Sequence, residues 1–264
     1  MAEAIDSTDP TSDLSGGERR KMIRSIILAG GEAQVVRLAA DFAVSVETIR
    51  RDLKALEDEG FVTRVYGGAR AATGYVLPHI DMRIGTDRAA KERIARLALS
   101  LIEPGMSVFF SGGSTVLALA WLLREGPRID ATTVMIDIGV VLASGVQTNV
   151  CLCGGQLSAS SRACTGFEAM EMISRRSFDL AFLGASGIDA QRGLLGRSEV
   201  HLQLAQVARA QSRRVAAMIP QSSMKSGERL QILNLSQLDY LITDRPPEPA
   251  LFRGIEAAGG ELLF

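Results

Sequence analysis

The chain has 264 residues, 47% hydrophobic and 22% charged, with a formal net charge of −1. That mixture suits a soluble protein of one small and one medium domain, and no apolar run approaches the roughly 20 residues that a membrane-spanning helix needs. Near-neutral charge gives no overall attraction to nucleic acid, so a DNA-binding surface has to be local.

Residues 1–17 hold Glu3, Asp6, Asp9 and Asp13 with no basic residue, which predicts a disordered acidic tail. They lack the basic start and apolar run of a signal peptide, so a cytoplasmic location is expected. From Glu18 to Arg70 the balance changes to ten basic against eight acidic residues. Met22, Ile23, Ile26 and Ile27 recur at helical spacing before Gly30-Gly31 stops the pattern, predicting a first helix. Val35, Leu38, Ala39 and Phe42 predict a short second one. A third starts at Ser45, an N-cap residue, buries Val46, Ile49, Leu53 and Leu56, and ends at Gly60.

The other face of that third helix shows Glu47, Thr48, Arg50, Arg51 and Lys54. Two short helices joined by a tight turn, with hydroxyl and basic side chains opening the second, form the geometry that lays a recognition helix in the major groove. Arg50 and Arg51 can contact guanine or phosphate with both arms of the guanidinium, while Lys54 reaches a phosphate as a point charge. Phe61, Thr63 and Val65 then alternate with Val62, Arg64 and Tyr66 before Gly67-Gly68, predicting a hairpin wing. Arg64, Tyr66 and Arg70 flank it, placed to grip the DNA backbone or minor groove. A charged helix face is usually solvated surface, so the basic residues alone do not decide for DNA; the helix spacing, the Ser cap and the wing together do.

From about Pro78 onward helical and strand-like segments alternate, which predicts a Rossmann-like α/β domain with a mostly parallel sheet. Residues 82–102 read as one long amphipathic helix. Strands are predicted at 107–110, 133–136, 150–152, 180–183, 214–218, 240–242 and 261–263. Ligands bind at the carboxyl ends of such strands. At the first of them Ser111, Gly112, Gly113, Ser114 and Thr115 open a helix, where backbone N–H groups, hydroxyls and the helix N-terminus suit an anion such as phosphate. Other strand ends carry Asp137, Gly154-Gly155, Gly184 and Gly187, Lys225 within QSSMKSG, and Thr243-Asp244. One glycine pair after a strand is more often a turn than a cradle; their repetition points to a site. Cys151, Cys153 and Cys164 are an odd, clustered set, and His79 and His201 lie far off in sequence, so core packing is expected rather than a disulfide framework or a metal. No cofactor is expected.

The segment VSVETIRRDLKALEDEGFVTRVYGGAR resembles the helix-turn-helix and wing of the DeoR family of bacterial repressors. The remainder resembles its sensor domain at Arg83, at Lys91 with the following ERIA, at Gly113-Ser114-Thr115, Gly154-Gly155, Gly166, Gly184, Gly187, Gly193 and Thr243-Asp244. The resemblance implies a fold related to ribose-phosphate isomerases and coenzyme A transferases, and a pocket for a phosphorylated sugar or related metabolite whose binding releases DNA. Where that family usually has Asp-Ser-Gly-Thr-Thr this chain has Ser111 to Thr115, where it has Thr-Asn this chain has Ile136-Asp137, and where it has Asp-Ser-Ser-Lys this chain has Gln221 to Met224 with Lys225 displaced by one.

The expected organisation is therefore a tail over 1–17, a winged helix-turn-helix over 18–73 and an effector-sensing domain over 74–264. Double-stranded operator DNA and a small effector, expected to be a sugar phosphate, are the expected partners of a homodimer or homotetramer, with no membrane. The alternative is a sugar-phosphate isomerase-like enzyme fused to a DNA-binding head. Asp137, Asp189, Glu199 and Asp244 would have to supply its general base, yet each reads equally as a helix cap or a surface charge.

Overall fold

A computed structural model describes residues 15–30, 32–58, 62–71, 80–145, 149–224 and 230–264. The chain divides into two compact units, 1–78 and 79–264. The expected boundary after residue 73 falls in 72–79, outside the described residues, as do residues 1–14 of the expected tail. Gly16 and Gly17 already form the start of the first helix, two residues ahead of the expected boundary at 18.

The first unit runs α1 (Gly16–Gly30), β1 (Glu32–Gln34), α2 (Val35–Asp41), α3 (Val46–Asp58), β2 (Val62–Val65) and β3 (Gly68–Ala71). Ile23, Ile27, Val35, Leu38, Phe42, Ile49, Leu53 and Leu56 fill its core. Met22 and Ile26 are 43% and 39% exposed, so only half of the stripe expected on α1 faces inward. The three strands form an antiparallel sheet in the order β1-β3-β2. β1 carries no alternation of its own and exists because β3 offers it an edge. A Cβ at Gly68 would stand 2.2 Å from the Ala33 carbonyl oxygen, so this pairing needs glycine. With Gly68 held in the ladder, the wing turn is Tyr66-Gly67, one residue earlier than expected.

The second unit opens with α4 (Ile80–Gly85), α5 (Arg88–Leu99), β4 (Ser107–Phe110), α6 (Ser114–Leu123), β5 (Asp130–Thr133), α7 (Ile136–Ala143) and β6 (Asn149–Leu152). A hairpin of β7 (Gln156–Ser158) and β8 (Ala163–Thr165) leads to α8 (Phe167–Ser174) and β9 (Phe178–Gly184). A second hairpin, β10 (Gly187–Asp189) with β11 (Gly193–Gly196), precedes α9 (Glu199–Ala210), β12 (Ser212–Met218) and β13 (Leu230–Leu233). The chain closes with β14 (Tyr240–Ile242), α10 (Pro249–Ala257) and β15 (Glu261–Leu263).

Seven strands form a parallel sheet in the order β15-β14-β12-β9-β4-β5-β6, while β13 pairs with β11 outside it. The apolar runs of the central strands are continuous because both faces are covered. Val108, Phe110, Leu180, Phe182, Ala216 and Met218 pack under α5, α6 and α7. Their neighbours Phe109, Ala181, Leu183, Val215 and Ala217 point to the other face, under α8, α9 and α10. The single helix expected over 82–102 is broken at Asp87, which takes a left-handed φ of 51°. The strand expected at 133–136 ends at Thr133, and Ile136 begins α7. Both elements are buried, and an uninterrupted apolar run cannot distinguish a buried strand from a buried helix.

Candidate DNA interface and effector crevice

Ser45 caps α3, its hydroxyl oxygen accepting the Thr48 N–H at 3.1 Å. Beyond the cap, Glu47, Arg50, Arg51 and Lys54 are exposed and Thr48 is half-buried. Arg50 and Glu47 approach to 3.6 Å, one turn apart on the outer face. At the wing, Tyr66 stands fully exposed at the tip and Arg70 is exposed on β3. Arg64 turns back toward α3, its Nε donating to Glu57 Oε2 at 2.9 Å and its N–H to Oε1 at 2.8 Å, which holds the Glu57 carboxyl below the usual range. Asp52, unremarked in the sequence, is buried on α3 and accepts Arg19 Nε at 2.6 Å, tying the recognition helix to α1.

The strand order of the second unit places its crevice. β4, β5 and β6 lead outward one way, then β9 returns beside β4 and the chain proceeds the other way. Such a reversal opens a cleft between the diverging loops at the carboxyl ends of the two strands. The loop after β4 lies at that point. Ser111 is buried, and its hydroxyl oxygen accepts the Gly184 N–H at 3.0 Å across the gap between β4 and β9. Gly113, with φ 97°, is the N-cap of α6, and Ser114 and the buried Thr115 form its first turn. Gly112, Gly113 and Gly184 are therefore together, with Gly187 following at the start of β10.

The other expected residues are placed differently. Asp137 is in the first turn of α7, where its carboxylate accepts Arg162 Nε at 2.8 Å. Arg162 also donates to both oxygens of Asp81, at 2.9 and 3.0 Å. Gly154-Gly155 follows β6, an edge strand separated from β9 by β5 and β4, and leads into the β7–β8 hairpin. Lys225 lies outside the described residues.

Sequence reasoning left the cations near α4 without a role. Lys91 is buried and donates to the Thr86 carbonyl at 2.6 Å and to that of Arg83, closing the carboxyl end of α4. Burial brings its ammonium down to about 8, with Asp87 opposing and Arg83 adding to the shift. His201 on α9 is likewise lowered, by burial first and then by Arg83 and Arg197. A separate cleft of about 540 Å³, lined by Asp189, Arg192, Gln221, Met224 and Glu248 over Ile188, Leu195 and Leu251, does not reach the loop of Ser111 to Thr115. Among the described residues no three His, Cys, Asp or Glu side chains converge as a metal site, and no helix is long and apolar enough to cross a membrane.

Comparison with known proteins matches both units. Residues 19–74 fit the DeoR-like helix-turn-helix domain and residues 86–245 the DeoR C terminal sensor domain. The chain belongs to the DeoR family. A relative named HTH-type transcriptional repressor GlcR, from Bacillus subtilis (strain 168), is 31% identical over 223 residues, covering 83% of this chain and 85% of its own. The glycerol-3-phosphate regulon repressor of Escherichia coli (strain K12) is 27% identical over 230 residues, with 87% and 91% covered. Ribose 5-phosphate isomerase A from Methanocaldococcus jannaschii overlays 53% of this chain and 56% of that one at 13% identity, with a TM-score of 0.39, a likeness too loose to bear on activity. As a DeoR family member this chain is a DNA-binding transcriptional regulator with a C-terminal sensor domain.

Proposed function

We propose that the protein represses genes for the use of a sugar or related metabolite, and that a small phosphorylated effector switches its hold on operator DNA. The observation that carries this reading is the Ser111 to Thr115 loop, opening α6 at the reversal point of a parallel sheet beside Gly184. Backbone N–H groups at a helix start and nearby hydroxyls suit an anion. The names of the similar repressors, one of a glycerol-3-phosphate regulon, point to the same ligand class.

The α3 face of Glu47, Thr48, Arg50, Arg51 and Lys54, together with Tyr66 and Arg70 of the wing, forms the proposed operator surface. An effector acts by binding one of two conformations better than the other. The chain is read as a regulator rather than an enzyme because three of the four carboxylates that could serve as a base are engaged, and the fourth, Glu199, is an exposed residue in the first turn of α9. Arg162 holds Asp137, the Gln191 and Arg192 N–H groups hold Asp189, and the Gln221 N–H donates to Asp244 at 2.7 Å.

Calorimetric titration of sugar phosphates and their unphosphorylated counterparts against wild type and Gly113→Val tests the site. A branched side chain at φ 97° is strained, so the variant is expected to lose effector affinity while operator binding persists. Undiminished affinity in Gly113→Val removes the loop as the cradle. Turnover of ribose 5-phosphate by the purified chain overturns the regulator-only reading.

A further inference from the structure

Cys151 and Cys153 lie two positions apart where β6 ends, in an extended segment whose side chains at this spacing share a face. The Cys151 Sγ accepts Arg176 Nη2 at 3.1 Å. Arg176 is fixed in turn, its Nη1 donating to the Met172 carbonyl at 2.6 Å. Cys151 is half-buried and within reach of a small oxidant, whereas Cys153 is fully covered. Neither the DNA surface nor the crevice uses this pair.

We propose that Cys151 and Cys153 form a peroxide-responsive dithiol switch, with Cys151 the attacking sulfur and Cys153 the resolving one of a reversible intrachain disulfide. The Arg176 guanidinium on its sulfur and its partial exposure, against the full burial of Cys153, assign the first attack to Cys151. Burial, with Cys151 next in order, pushes the Cys153 thiol up to about 11, so that it is protonated near neutral pH and does not attack first.

In the first step Cys151 releases its proton to solvent and its sulfur attacks a hydroperoxide oxygen. The S–O bond forms, the O–O bond breaks, and the leaving alkoxide takes up a proton to become an alcohol. Cys153 sulfur then attacks Cys151 sulfur; the S–S bond forms, the S–O bond breaks, and the departing hydroxide leaves as water with the Cys153 proton. Two thiols are oxidised and one hydroperoxide is reduced. A small dithiol returns both cysteines to thiols by exchange and is itself oxidised to a disulfide.

Residues two apart on one face of an extended strand have their Cα atoms, and their Cβ atoms with them, roughly 6.6 Å apart, near the upper end of the about 4.4–6.8 Å between Cα atoms that disulfides span and beyond the about 3.5–4.5 Å between Cβ atoms. Closure therefore draws in the end of β6. The Cys153 N–H donates to the Thr133 carbonyl at 2.8 Å, so the pull reaches the end of β5 just before α7.

The test is titration of the reduced full-length protein with hydrogen peroxide, read by intact mass, thiol counting and peptide mapping, beside Cys151→Ser, Cys153→Ser and Cys164→Ser. Wild type and Cys164→Ser are expected to lose two hydrogens and two titratable thiols, restored by dithiothreitol, with both modified residues in the peptide of Cys151 and Cys153. Cys153→Ser is expected to gain one oxygen on Cys151 that dimedone traps. Cys151→Ser in a Cys164→Ser background, with Cys153 its one thiol, is expected to lose that thiol on the order of tenfold more slowly than Cys164→Ser loses its pair, since a buried thiol lacks thiolate character. A link that includes Cys164, thiol loss in that double variant at the Cys164→Ser rate, or thiols that persist where free cysteine is oxidised overturns the proposal.

Discussion

Asp52 sits on a helix where Glu47, Arg50, Arg51, Lys54 and Asp58 are exposed, yet its carboxylate is 4% exposed and meets Arg19 at 2.6 Å and Arg20 at 3.5 Å. Spacing along α3 gave no hint of this, because the partner is 33 residues away and the burial comes from α1 packing across it. Asp52→Ala strands the guanidinium of Arg19 and is expected to cost about 2 to 3 kcal/mol in denaturant unfolding of the full chain. A loss within 0.5 kcal/mol, on the order of a surface change, would show that the pair contributes little. Thr243 presents the opposite case: its hydroxyl is fully buried without a hydrogen-bond partner among the described residues. Thr243→Val keeps the shape and removes the polar group, so stability is expected to hold or rise by about 1 kcal/mol. Lys91 adds a pH dependence. Its folded value of about 8 lies below the 10.5 of the unfolded chain, so in that window the unfolded chain binds a proton that the folded chain has released, and stability rises with pH. The advantage of wild type over Lys91→Met should therefore widen from pH 8 to 10 in unfolding titrations; a constant gap would contradict a depressed ammonium.

Among the elements, the amphipathic helices of the first unit and most strands of the parallel sheet were legible, β4, β14 and β15 to the residue, and the hairpin strands outside that sheet were not. α2 and α3 bury Val35, Leu38, Ala39, Phe42, Ile49, Leu53 and Leu56 as their spacing requires, because one face is wet. β7, β8, β10 and β11 have only three or four residues each, too few to show a period, and are held by their antiparallel partners. The crevice was legible at the Gly-rich loop after β4, but the ties of Ser111 to Gly184 and of Asp137 to Arg162 are tertiary and leave no mark in local sequence. The recognition helix makes a quantitative forecast. Arg50→Ala or Arg51→Ala is expected to weaken specific operator binding by about 1 to 3 kcal/mol where the guanidinium pairs with a base through both arms. Where it pairs with a phosphate, the slope of log affinity against log salt instead flattens by about 0.9. Mobility-shift titrations across a salt series separate the two, and wild-type affinity and slope in both variants would remove α3 as the reader.

For the molecule as a whole, a net charge of −1 gives no general pull on DNA, so the attraction has to come from local exposed cations such as Arg50, Arg51, Lys54 and Arg70. One recognition helix gives a limited interface, and operator specificity is usually gained by pairing half-sites about 34 Å apart. An even-order homo-oligomer is therefore expected in sedimentation at micromolar concentration; a monomer with full operator affinity would exclude it.

Arg162 bears on how the second unit holds its own beginning. The hairpin that carries it accepts the Ile80 N–H at the Ser160 carbonyl, 3.0 Å away, and clasps Asp81 through the guanidinium, while Lys91 fastens the far end of α4. The first described residue of this unit is thus moored to a surface ribbon of two three-residue strands, the kind of element that opens locally at low free-energy cost. When that ribbon lifts, the hold of Ser160 and Arg162 on the start of α4 goes with it, while Lys91 still fastens the far end of α4 and the Ile80 side chain stays in the core. Amide hydrogen exchange at Ile80 should then keep pace with exchange in β7 and β8 rather than with the protected core of α6.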